Sequence, residues 1–171
     1  MAGYEETAVQ KATRLAAERA RLAREESREG VVAASDELTA LRDALSELAA
    51  QVAGITKFPQ SVERTSNDIL VVLGRVSATL QWFNKYSDSL KHSSLIVKQW
   101  PSVVSLSTRH RPSVEFEETY QFGLDLSDRW VWIGEEERLT TEQLADRILG
   151  QLVEAAFAPP EREGYFPFRV G

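Results

Sequence analysis

Apolar residues recur along this chain at spacings of three and four, the pattern of a helical face that meets another helix. Leu38, Leu41, Leu45, Leu48, Val52 and Ile55 form one run. After Thr56-Lys57-Phe58-Pro59 the beat resumes with Val62, Ile69, Leu73, Val76, Leu80, Phe83 and Leu90. Read as heptads, the runs predict two helices joined near Pro59 and folded into an antiparallel hairpin or coiled coil. Ser35 or Asp36 is placed to cap the first, and Pro59 suits the first turn of the second, which would run to about Lys91. Gly74 inside that second helix reads as a point of close helix approach, or as a defect costing about 1 kcal/mol.

Ahead of the seam, Glu5 to Glu29 is rich in Ala, Glu and Arg, all good helix formers. Its apolar stripe is narrow: Ala8, Ala12, Leu15 and Leu22, with Arg19 and Glu26 on the same line. Such a helix buries little and is expected to fray or to dock on a partner. Gly30 ends or kinks it.

The periodicity changes after Ser93. Leu95-Ile96-Val97 and Val103-Val104-Ser105-Leu106 read as short strands separated by Trp100-Pro101, with the proline at a strand end or edge. Val114, Phe116, Tyr120, Phe122, Leu124 and Leu126 share one parity, broken only by Glu118. Ser127-Asp128 turns that strand into Trp130-Val131-Trp132-Ile133, so 113–134 predicts a β-hairpin. Apolar residues on both parities of the second strand imply that it is covered on both sides. Thr140 with Gln143 makes a capping box for a last helix, whose buried stripe is Leu144, Ile148, Leu152 and Ala156. Pro159-Pro160 stops it. The fold class expected is therefore α+β: heptad-patterned N-terminal helices, then a small antiparallel sheet closed by one helix. The divisions are a weakly amphipathic helix over 1–30, the helical hairpin over 31–92, the α+β module over 93–158 and an aromatic tail over 159–171.

Composition narrows the chemistry. The chain has 171 residues and no cysteine, which excludes disulfides, thiolate metal sites and thiol nucleophiles. An acidic start without an apolar stretch shows no secretory signal, and no apolar run approaches bilayer length, so a cytoplasmic protein with no membrane association is expected. Net charge is −6 but unevenly spread. Residues 57–111 hold 8 basic and 3 acidic side chains, whereas 112–171 hold 5 and 13. Such asymmetry guides a partner or another part of the same assembly.

Three candidate sites follow. The first is the seam itself, Leu38, Leu41, Leu45, Leu48, Val52, Ile55, Ile69, Leu73, Val76, Leu80, Phe83 and Leu90, which would hold a homo-oligomer or receive a protein partner. The competing reading is that the helices bury it within the chain. The second is the acid-free stretch between Lys91 and Arg111, where Lys91, Lys98, Trp100, Arg109 and Arg111 could contact phosphates and stack on a base. No nucleic-acid motif accompanies it, and an ordinary surface complementing the acidic end is the favoured reading. The third is the tail: Tyr165, Phe166 and Phe168 could dock on a sheet edge or a partner. A pocket between Trp100, Trp130 and Trp132 is a further possibility for a small ligand. Catalytic signatures are missing, with no nucleophile elbow, phosphate-binding glycine loop or His-Glu-x-x-His. Ser105, Ser107 and Glu115 flank His110, but a triad is defined by geometry and not by proximity in sequence, and Glu135-Glu136-Glu137 reads as a solvated loop rather than a cation site. No cofactor is implied. The function expected is a non-catalytic assembly or adaptor protein, with a nucleic-acid-associated subunit as the alternative and a small enzyme or ligand sensor third.

Overall fold

In the computed structural model, residues 5–107 and 113–159 are described. Two helices lead the chain, α1 (Ala8–Glu25) and α2 (Arg28–Thr56). Seven strands follow: β1 (Gln60–Arg64), β2 (Asp68–Leu73), β3 (Val76–Tyr86), β4 (Ser89–Trp100), β5 (Phe116–Leu124), β6 (Trp130–Ile133) and β7 (Arg138–Leu139). Helix α3 (Thr141–Phe157) is the last element among the described residues. The strands form one antiparallel meander in chain order, with α2 and α3 packed together on its inner face. The α+β class holds, and its helical part is smaller than the heptads imply.

Thr7 caps α1 through a capping box with Gln10, and Ser27 caps α2 by accepting from the Glu29 amide. The second helix thus begins eight residues before Asp36. Gly30 lies in its first turn, because the chain bends at Glu26-Ser27 instead. Lys57, at φ 66°, ends α2 in the left-handed conformation that commonly closes helices.

The largest departure from the heptad reading is the stretch after Pro59, which is sheet and not helix. Asp68–Leu73 and Val76–Tyr86 are rich in β-branched and aromatic side chains, which suit a pleated surface. Leu73 pairs with Val76 around a two-residue turn at Gly74-Arg75. Gly74 has φ 61°, the positive value that a tight hairpin turn requires of its first central residue, so it marks a turn and not a helix contact. That turn also explains the false beat. Inward positions alternate along each strand, and the two-residue turn shifts their parity, so Ile69, Leu73, Val76 and Leu80 all face inward at spacings of four, three and four. Val62, Leu90 and Trp82 join them at the core, whereas Phe83 faces out and is exposed.

The core runs without a break from Ala34 in α2 through the inner face of β2–β6 to Leu152 in α3. The division expected at 92/93 falls inside β4, which pairs with β3 on one side and β5 on the other. Trp132 is fully buried at the centre, edge-on to Trp82 and tilted against Phe122. Its indole N–H donates to Thr141 Oγ1 at 3.1 Å, and that hydroxyl donates to Glu37 Oε1 at 2.6 Å, tying β6 to both helices. On the outer face the chain after β4 crosses back as a loop, where a strand over 103–106 was expected. Val104 covers Leu70 and Trp100, Ser77 Oγ donates to the Ser102 carbonyl, and the Trp100 indole donates to Thr79 Oγ1. The expected hairpin at 113–134 is present as β5 and β6, and Pro101 does follow the last residue of a strand.

The sheet forks on both sides of β5. Its first half, Phe116–Tyr120, pairs with β4, and its second half, Gln121–Leu124, pairs with β6. The bend between α1 and α2 fills one fork, where Glu25 Oε1 accepts from the Leu124 amide at 2.7 Å. The other fork holds no strand among the described residues and opens into a cleft.

Candidate functional site

Strand β6 reaches only to Ile133, opposite Gln121. Gly134 then turns the chain away, its amide donating to the Glu137 carbonyl at 2.8 Å to start the β6–β7 hairpin. An added Cβ at Gly134 would come within 3.0 Å of the Tyr120 ring, so glycine permits the turn to lie close over that ring. Beyond it, Phe116–Tyr120 has β4 on one edge and, among the described residues, no strand on the other. The Asp125 amide donates to Arg129 across the β5–β6 turn, which sets odd-numbered residues of β5 facing the β6 side. By the same alternation, the main-chain groups of Glu117 and Thr119 face the open edge.

A cleft of about 700 Å³ lies along that edge, between Phe116–Gln121, Ile133–Glu137 and Arg147 of α3. Arg147 organises its inner wall. Its guanidinium grips Glu118 through Nη2 at 2.8 Å and Nε at 3.3 Å, and reaches Glu137 Oε1 through Nη1 at 2.7 Å. The Tyr120 hydroxyl donates to the same Glu118 carboxylate. Burial alone would raise the Glu118 carboxyl, but the hydrogen bonds from Arg147 and Tyr120 outweigh it and hold it below the ordinary glutamate range. Burial and the neighbouring carboxylate together push the Tyr120 phenol well above its usual value, so it stays a neutral donor. Glu117, Glu118, Glu135, Glu136 and Glu137 surround the single guanidinium, and the cleft is acidic. On the outer side Glu117 pairs loosely with Lys98, at 3.8 Å. A second hollow on the other side of Phe116 is lined by Gln99, Glu115, Gln151 and Glu154.

Chemically, the cleft offers an unpaired strand edge and negative charge. Among the described residues that line it, Thr119 and Tyr120 carry the hydroxyl groups and none is a histidine.

The sites expected from sequence are distributed differently. Leu38, Leu41, Leu45, Leu73, Val76, Leu80, Ile69 and Leu90 are buried, and Leu48 and Val52 pack against them, so the seam is core within this chain. Of its members only Ile55, 83% exposed, and Phe83 face solvent. Lys98 is engaged by Glu117 and Trp100 is buried, so Lys91, Lys98 and Trp100 do not form a common basic and aromatic surface; Arg109 and Arg111 lie outside the described residues. Trp100 belongs to the outer cluster and Trp132 to the core, on opposite faces of the sheet, so the three-tryptophan pocket is not formed. Tyr165, Phe166, Phe168 and His110 also lie outside the described residues. Among the described residues no cluster could hold a metal ion. No helix among them is long and apolar enough to cross a membrane.

The sequence did carry a signal for the cleft. Glu118 is the single break in an otherwise apolar parity, a carboxylate at an inward strand position that demands a cation. Arg147 and Gln151 lie four apart on α3, beside its apolar stripe, where a helix can present such a partner. No protein-family model matches this chain, and no curated protein or solved structure matches it either.

Proposed function

We propose that the chain is a non-catalytic adaptor that binds a protein partner by taking an extended, basic segment of it as an added strand on β5. The observation that carries this reading is the open edge over Phe116–Tyr120, bordered by five carboxylates. An exposed strand edge is a template for main-chain pairing, and the side chains lining it set which segment fits. Here the added segment lies in line with β6 and places alternate basic side chains toward Glu118, Glu137 and Glu135.

Binding is tested by nuclear magnetic resonance with a peptide that alternates arginine and valine. Shifts confined to 116–121 and 133–137, with cross-strand contacts to Glu117 and Thr119, are expected. Thr119→Pro removes an amide that faces the open edge and not β4, so the fold should persist while binding is lost. Absence of binding at millimolar peptide, or equal binding by Thr119→Pro, would overturn the proposal.

A further inference from the structure

Helix α1 is 18 residues long and none of them is buried. Ala8, Val9, Ala12, Leu15, Ala16, Ala20, Leu22 and Ala23 share one side of it, interrupted by Arg19, and all are exposed. Val9 is 76%, Leu15 48% and Leu22 53% accessible. The helix touches the rest of the chain through its C-terminal end, where Glu25 enters the β4–β5 fork and Arg24 lies over the Trp130 ring. A helix of this length without tertiary burial is marginal in water, so its apolar side needs a cover.

The charges indicate which. Helix α1 carries five basic side chains (Lys11, Arg14, Arg19, Arg21, Arg24) and two acidic ones, a net of +3. Helix α2 carries two basic and five acidic side chains, a net of −3. The acidic residues Glu29, Asp36, Asp43 and Glu47 all lie on the solvent side of α2, together with the exposed Val32 and Ala50. Arg14 and Arg21 are seven residues apart, as are Asp36 and Asp43, which gives both helices a charge repeat of about 10 Å. With α1 anchored at its C-terminal end, no described residue of its own chain covers its apolar side, and the acidic face of α2 in another molecule is complementary to it.

We propose that α1 docks on the outer face of α2 in a second copy of this chain, and that α1 of that copy docks reciprocally, giving a two-fold dimer. The interface is isologous, with each copy contributing one basic amphipathic helix and one acidic helix face. It is separate from the β5 edge and leaves the cleft open in both subunits.

Sedimentation velocity and light scattering on the full chain test it. The expected mass is twice 19.2 kDa at high micromolar concentration, falling toward the monomer as salt rises. Leu15→Glu with Leu22→Glu should abolish the dimer while circular dichroism of the sheet and tryptophan environment is unchanged, since both residues are exposed. Arg14→Glu with Arg21→Glu, and separately Asp36→Arg with Asp43→Arg, should each give monomers. Mixing those two charge variants should restore a heterodimer, because every helix pair is then complementary. A wild-type monomer at high concentration would overturn the proposal, as would a dimer insensitive to Leu15 and Leu22. So would charge variants that fail to recover on mixing, or a monomer whose α1 binds anionic phosphatidylserine vesicles instead.

Discussion

Glu118 occupies an inward position on β5 that its neighbours Tyr120 and Phe122 fill with aromatic rings, and it is tolerated there because Arg147 meets it bidentately. Its folded-state carboxyl lies below the ordinary glutamate range, and that of Asp125, whose carboxylate accepts from the Arg129 and Ser127 amides, lies below the ordinary aspartate range. The unfolded chain therefore takes up these protons more readily than the folded one. Their stabilising contribution is complete above the unfolded values and is lost as pH falls through the folded ones. The urea midpoint should drop between neutral pH and about pH 3, and Glu118→Gln should show a shallower drop. Glu25 makes a second long-range contact, capping an amide that no strand reaches. Glu25→Ala leaves the Leu124 amide without its acceptor and should cost about 1–3 kcal/mol, whereas Glu25→Gln, which keeps an acceptor, should cost less. Equilibrium denaturation of the two variants separates these outcomes. The partner of Glu25 cannot be read from the sequence, since Glu25 and Leu124 are 99 positions apart.

Helix α2 keeps its solvent face polar and buries Leu38, Leu41 and Leu45 against β2–β4 and α3. Leu45→Ala should destabilise by about 2–5 kcal/mol as a cavity-forming change, and Ile55→Ala by less than about 0.5 kcal/mol despite belonging to the same heptad run. Thermal melts of both variants check this contrast. At the start of α2, Gly30 packs where a Cβ would lie 2.4 Å from the Glu25 carbonyl oxygen and 3.0 Å from Leu90. Alanine gains about 1 kcal/mol of helix propensity, but it must push main chain out of the joint, at a cost of about 1–3 kcal/mol or more. Gly30→Ala should therefore lower stability on balance, read as a fall in urea midpoint. Element by element, local chemistry was legible where one residue decides the outcome: the Thr140–Gln143 capping box, the helix stop before Pro59 and the end of β4 before Pro101. It failed where spacing alone was asked to distinguish helix from sheet. Ile69, Leu73, Val76 and Leu80 satisfy a heptad only because a two-residue turn interrupts their alternation. The β-branched run Ile69–Val72 and the Gly74-Arg75 turn were the better guides.

At the scale of the molecule, one apolar core links residues that the sequence divides at 92/93. A fragment beginning at residue 93 would lack α2, β1, β2 and β3 and would cut β4 within its pairing. It should show no dispersed amide spectrum, while a fragment lacking only α1 should stay folded. The acidic C-terminal third, visible in composition, supplies the carboxylate border of the cleft. The open edge itself was not legible, because it depends on where β6 stops relative to β4. The order of the strands has a further consequence during synthesis. Each strand pairs with the one made just before it, so the meander can assemble as the chain emerges. The apolar faces of α2 and β6 receive their last cover only when α3 arrives, with Thr141 bridging 104 residues back to Glu37. Ribosomes that stop before about residue 157 release a formed sheet with its central tryptophan still uncovered. For this protein, premature termination near the end is a greater aggregation hazard than termination near the beginning.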